Sequence, residues 1–266
     1  MTAIPPPLGR WSLPRHDPWS TPFAETLLSH LDLRPGLSIL DVACGHGIPA
    51  FYLAEQVGPS GSVVALDVSA GQVARARAIQ GGALPWLRFD CADVRGLSPD
   101  LPLFDRITGN LAVMFFRPDR PAVVRSLAQR LRPGGQLVLT FPSRGTFESM
   151  WQRIDREFVA WRLAAERERF HAYLAERPSA ADTRAWLATA GLERICVDEL
   201  PLEVATGGGQ AFLAHPLLRG GFLDDVAECF EDVRLAEDFL AAVADDVASI
   251  TPLVALRCVM AAWKPF

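Results

Sequence analysis

Apolar positions along this chain alternate between two spacings, and the alternation predicts its elements. Phe23, Leu27, Leu28 and Leu31 recur at helical intervals over residues 22–33, and Arg34-Pro35-Gly36 ends that helix. Leu37 to Val42 follows as a short apolar run of strand length, then a glycine-rich turn from Ala43 to Gly47, then a helix to about Gln56. The same rhythm continues with strands at Val63–Leu66, Leu87–Phe89, Phe104–Thr108 and Gln136–Phe141, and with helices at Gly71–Gln80 and Arg120–Leu131. Short strands apolar on both faces, separated by helices, imply a mostly parallel, doubly wound α/β sheet.

Beyond residue 143 the pattern changes. Phe147, Met150, Trp151, Ile154, Phe158 and Trp161 form an apolar helical stripe, followed by a charged run from Arg162 to Arg169, which reads as a cap helix. Ser179 and Asp182 have capping-box spacing at the head of a helix that Gly191 closes. Arg194–Val204 and Leu253–Trp263 supply two further strands, with an amphipathic helical region over Phe222–Val247 between them. The expected organisation is an N-terminal helical segment at 1–36, a cofactor-binding core at 37–143, a helical cap at 144–178, and a C-terminal part at 179–266 that completes the sheet.

Composition narrows the partners. With 266 residues, half of them apolar, the chain can bury one large core. A net charge of -5 disfavours nucleic acid, because phosphate binding draws on a Lys/Arg excess and counterion release. The five cysteines, Cys44, Cys91, Cys196, Cys229 and Cys258, show no Cys-x-x-Cys pair, so neither a disulfide framework nor a metal site is expected. The N-terminal stretch lacks an apolar core of signal-peptide length, and the run at Leu253–Trp263 is too short to span a bilayer and contains Arg257. A cytoplasmic location is expected, with no membrane span.

The chemistry concentrates at the first strand's end, in Asp41-Val42-Ala43-Cys44-Gly45-His46-Gly47. Glycines here allow a tight turn and a close ligand approach. Gly45, Gly47 and Ala50 also satisfy the dinucleotide fingerprint Gly-x-Gly-x-x-Gly/Ala, which keeps a nicotinamide-dependent oxidoreductase open. Asp41 weighs against it: a carboxylate beside the turn repels a pyrophosphate but accepts hydrogen bonds, directly or through water, from an ammonium group. Asp67 closes the second strand where an acidic side chain receives ribose hydroxyls, and Val68 beside it can cover an adenine face. Asp93, between Ala92 and Val94 after the third strand, can accept from an adenine amino group.

These residues, taken in order, resemble the successive motifs of class I S-adenosylmethionine-dependent methyltransferases across roughly residues 34–141. Phe104-Asp105, Gly109-Asn110-Leu111-Ala112-Val113 and Phe141-Pro142-Ser143-Arg144-Gly145-Thr146 further resemble the malonyl-carrier-protein O-methyltransferases, and ubiquinone/menaquinone-type C-methyltransferases are similar over the same core. The resemblance implies a Rossmann-like seven-stranded sheet with an antiparallel last strand and S-adenosylmethionine as cofactor. It also implies O- or C-methylation of a small-molecule or carrier-protein-bound acceptor, a carboxylate among the candidates. The cofactor contacts then fall on Asp41, Ala43, Gly45, Gly47, Asp67, Val68, Ala92, Asp93, Val94 and Asn110. No catalytic base is assigned, since displacement at a sulfonium methyl requires alignment and exclusion of water more than proton transfer.

Several side chains remain ambiguous. Asn110 can touch the cofactor or serve as a turn residue. His46 is a conceivable base, with His16, His171 and His215 behind it. Arg144 can grip a substrate carboxylate, and Trp11 and Trp19 can close the pocket from the N-terminal side. A non-catalytic protein that retains the fold is the third reading.

Overall fold

The computed structural model of the chain describes residues 11, 13, 17–247 and 252–266; His16 lies outside them. The first helix forms as α1 (Ser20–His30), followed by β1 (Ser38–Val42), α2 (Ala50–Val57), β2 (Ser62–Asp67), α3 (Ala70–Gln80), β3 (Leu87–Cys91), β4 (Phe104–Gly109), α4 (Arg120–Gln129) and β5 (Leu131–Pro142). Side-chain caps fix where helices begin: Ser69 accepts from the Gln72 N–H at the head of α3, and Asp119 from that of Ala122 at the head of α4. Next come α5 (Glu148–Ala160), α6 (Ala164–Glu176), α7 (Ala180–Thr189), β6 (Glu193–Val204), α8 (Gly209–Leu213), α9 (Leu223–Ala227), α10 (Val233–Val247) and β7 (Leu253–Trp263). The capping box expected at α7 is present in full, with Ser179 accepting from the Asp182 N–H and Asp182 from that of Ser179.

The seven strands lie in the order β3-β2-β1-β4-β5-β7-β6. β1 pairs in parallel with β2 on one side and with β4 on the other, and β5 pairs antiparallel with β7. The expected mixed sheet with its antiparallel last strand is therefore the observed one. Asp41 is level with Ala65 of β2 and Thr108 of β4, while Asp67 is level with Cys91 of β3. The ends of the parallel strands thus share one edge of the sheet. It is there, where the chain reverses its winding between β1 and β4, that doubly wound folds leave a crevice for ligands. Both faces of the sheet are covered: Leu40 and Val42 of β1 pack in one apolar cluster with Phe104 and Leu127, and Ile39 in another with Leu53 and Phe89.

The amphipathic region expected over Phe222–Val247 divides into α9 and α10, with residues 228–232 between them. Asp232 accounts for the restart, its Oδ1 accepting from the N–H groups of Arg234 and Leu235 at the first turn of α10.

The chain forms two compact units, one of residues 1–142, 179–199 and 257–266, the other of 143–178 and 200–256. The core of the second unit is built on aromatic rings. Phe158 stacks on Phe239 with centroids 4.4 Å apart and meets Phe170 at 5.3 Å, and Phe147 meets Phe222 edge-on at 5.0 Å. Phe147, Met150, Trp151, Ile154 and Phe158 of the predicted stripe are buried, whereas Trp161 is partly exposed. Among the described residues, no helix is long and apolar enough to cross a membrane.

Candidate cofactor site

Asp41 sits in the centre of the sheet and is wholly buried. Its Oδ1 accepts a 2.7 Å hydrogen bond from the Thr108 hydroxyl on the neighbouring strand, while its Oδ2 is enclosed with no protein partner. A buried carboxylate oxygen without a donor costs free energy until something cationic or hydrogen-bonding satisfies it. Burial pushes the Asp41 carboxyl up to about 7, against the pull of the Thr108 hydroxyl and with a further push from Asp67.

Directly after β1 the backbone turns through a run of left-handed residues: Ala43 has φ 53°, Gly45 φ 54° and Gly47 φ 106°. At Gly45 a Cβ would meet nothing within 4 Å, so the bend borders open space on that side. At Gly47 a Cβ would run into the Phe51 ring, which excludes any larger residue. The bend is tied to the next strand. The Cys44 N–H donates to the Leu66 carbonyl at 3.0 Å, and the Gly45 N–H donates to Asp67 Oδ2 at 2.8 Å.

Asp67, at the end of β2, thus has one oxygen on the Gly45 N–H; the other accepts from the Ser69 N–H at 2.9 Å. Each oxygen retains a second lone pair for a hydroxyl donor. Val68, next along, is 68% exposed, an apolar surface at the rim of the strand ends. The Ala92 N–H is spent on the Asp67 carbonyl, and the Val94 side chain is buried in the apolar cluster beneath the sheet.

Asp93 is placed differently from the other two carboxylates. It caps the short turn at Val94–Gly96 through the Arg95 N–H, and the Arg95 guanidinium grips both of its oxygens, with Nη2 2.6 Å from Oδ2. That grip holds the Asp93 carboxyl below the usual carboxylate range. Asn110 is nearly buried and already engaged, its Nδ2 donating to the Ser20 carbonyl at 3.0 Å and its Oδ1 accepting from Thr140 at 2.8 Å. This bond anchors the start of α1 to the end of β4, a role that local sequence did not reveal.

His46 is half-buried on the bend, and its ring is held below its ordinary pKa by burial and by Arg75, against the pull of Asp17. Arg144 lies in the second unit, donating to the Arg177 and Ala175 carbonyls at the end of α6, each at 3.0 Å. His171 contacts Asp155 at 2.5 Å, and His215 Nδ1 accepts from the Leu217 N–H. Trp11 stacks on Phe51 at 4.5 Å, next to Gly47, and Trp19 tilts against Phe23 at 4.8 Å.

Comparison with known proteins finds similarity over the same part of the chain. A methyltransferase domain family matches residues 39–135, a stretch that contains all ten candidate cofactor residues. Nocamycin O-methyltransferase of Saccharothrix syringae is 40% identical over 125 residues, 46% of this chain and 43% of that protein. Malonyl-[acyl-carrier protein] O-methyltransferase of Pseudescherichia vulneris is 28% identical over 172 residues, 65% of this chain and 62% of that protein. The chain spans about half the length of the first curated relatives it matches, between 43% and 54%.

Among solved structures, Haemonchus contortus phosphoethanolamine N-methyltransferase 2, in complex with phosphomonomethylethanolamine and S-adenosylhomocysteine, superposes with a TM-score of 0.57. It covers 92% of this chain and 53% of that one at 17% identity, a likeness of fold alone. Residues 39–135 therefore match a methyltransferase domain family, and the seven-stranded sheet around them has the Rossmann-like fold of the solved methyltransferases it superposes on.

Proposed function

We propose that this protein binds S-adenosylmethionine at the ends of β1–β3 and transfers its methyl group to an oxygen of a small-molecule or carrier-protein-bound acceptor. The observation that carries the reading is the unpartnered, buried Oδ2 of Asp41 beside an open glycine bend. A diphosphate brought there would face an uncompensated carboxylate, whereas an ammonium group would neutralise it, with a water joining the enclosed oxygen to the cation. Asp67 has lone pairs left for the two ribose hydroxyls, and the exposed Val68 supplies an apolar face for an adenine ring. Asp93, held by Arg95, has an acceptor lone pair for the adenine amino group.

The sulfonium, when bound, supplies an activated methyl group. The protein's part is to hold donor and acceptor in line and keep water out. An acceptor carboxylate is already ionised at neutral pH and needs positioning only. The O-methyltransferase names of the two curated relatives support an oxygen acceptor. His46, kept neutral at pH 7 by burial and by Arg75, is the ring nearest the bend able to take a proton from a hydroxyl acceptor.

Titration calorimetry with S-adenosylhomocysteine, beside a fluorescence titration with NADH, tests the cofactor. Binding of the first and not the second is expected, and the reverse would install the oxidoreductase reading. Methyl-labelled S-adenosylmethionine incubated with the protein and fractionated metabolites, acyl-carrier thioesters included, should place label on a product in step with S-adenosylhomocysteine formation. Binding without any transfer would point to the non-catalytic reading.

A further inference from the structure

Where the end of α1 meets β6, three side chains of different donor type meet at one oxygen. His30 is the last residue of α1, and its Nε2 lies 2.9 Å from Asp198 Oδ2 on β6. Cys196, two residues earlier on the same face of β6, directs its Sγ at the same Oδ2 from 3.5 Å. All three ligand atoms lie within 4.8 Å of one another. We propose that His30, Cys196 and Asp198 form a zinc site that clips the end of α1 to β6.

The donor set suits this ion. A thiolate, a carboxylate and a neutral imidazole carry two negative charges, which cancel those of a divalent ion; a thiolate also selects zinc or cobalt over magnesium and calcium. Ligands at bond lengths of about 2.0–2.3 Å around a tetrahedral ion sit roughly 3.2–3.8 Å apart, so the 2.9 and 3.5 Å separations at Asp198 Oδ2 are within a few tenths of an ångström of that range and the third is within about 1 Å. Three protein ligands leave the fourth position to water.

The ring is already oriented for the role. His30 Nδ1 faces the Thr26 carbonyl at 2.8 Å, which can only accept, so Nδ1 carries a proton and Nε2 is the atom turned to the cluster. The Cys196 thiol donates to the same Asp198 oxygen that Nε2 faces. Coordination replaces the Cys196 thiol proton, which leaves to the buffer. The Asp198 side chain is about half exposed, at 52%, which leaves an entry path.

The site would also serve the fold. β6 lies at the edge of the sheet, and its residues 193–199 are exposed or half-buried. His30 and Asp198 are 168 positions apart, so one ion closes a very long loop.

The test uses the full chain and cobalt(II) as a spectroscopic stand-in, with zinc(II) as competitor. One equivalent of cobalt should give a thiolate charge-transfer band in the near ultraviolet and tetrahedral bands in the visible, both erased by zinc. Cys196→Ser should abolish the charge-transfer band, and Cys91→Ser, at an exposed thiol elsewhere, should leave it intact. Asp198→Asn, at an exposed position, should weaken zinc binding roughly a hundredfold, the scale on which ligand and outer-shell losses act. No charge-transfer band at one equivalent, a band that survives Cys196→Ser, or zinc affinity unmoved by Asp198→Asn would each overturn the proposal.

Discussion

The ends of β1 and β3 each present an aspartate to the same edge of the sheet, and the two are opposites in every physical respect. Asp41 is buried, has one oxygen without a donor, and holds its proton up to about 7. Asp93 is partly exposed, has both oxygens gripped by Arg95, and is held below the ordinary carboxylate range by that grip. A carboxylate already paired with a guanidinium gains little from a new donor, whereas one left unsatisfied in a low-dielectric interior gains much. In the proposed function, charge recognition falls to the end of β1 and fine positioning to the end of β3.

The largest expected effect breaks the contrast at Asp41. Asp41→Asn should weaken S-adenosylhomocysteine binding at pH 8 by about 3 kcal/mol, the upper range for a charge-assisted hydrogen bond, as read by calorimetry. The same variant should make the ligand-free protein more stable at pH 8, by an amount on the order of 2–4 kcal/mol. The sign follows from the proton count. Between the ordinary carboxylate value of 3.8 and about 7, the folded chain keeps a proton that the unfolded chain has lost, so wild-type stability falls as pH rises through that window. The stability advantage of the variant should therefore vanish near pH 4 and grow to a plateau above pH 7, measured by denaturant unfolding across pH. A flat difference would mean that Asp41 is not the buried charge inferred here.

An intermediate effect belongs to Asp67, which lies between the two extremes. Asp67→Ala should cost about 2 kcal/mol of cofactor affinity through lost hydrogen bonds to a ribose, and it also frees the Gly45 N–H that steadies the bend. Unchanged affinity would place the nucleoside elsewhere. The smallest effect is expected at Asp93. Asp93→Asn keeps a carbonyl acceptor and gives up only a partly exposed ion pair, so cofactor affinity should change by roughly fivefold or less. A loss at Asp93 equal to that at Asp41 would erase the comparison.

The parts of the site read most readily from sequence are those whose residues are neighbours in the chain. The turn from Ala43 to Gly47 announces itself because the required conformations are local and glycine is the residue that adopts them. The Arg95 grip on Asp93 was within reach of the same reading, since the two residues stand two positions apart. The Asn110 bond to Ser20 was not, because its partner is 90 positions away. The same holds for the His30, Cys196 and Asp198 cluster, which cysteine spacing alone gave no reason to expect.

Alternating short apolar runs and helical stripes determined, from sequence alone, that a doubly wound sheet with glycine and acidic residues at its strand ends would form. Burying those runs on both faces leaves few other arrangements. Only the tertiary structure decided which of those acids would lie in the interior without a donor, which would be neutralised by an arginine, and which histidine would meet a cysteine across 166 positions of chain. Burial and charge are properties of the space around a side chain, and that space is furnished by strands and helices distant in sequence.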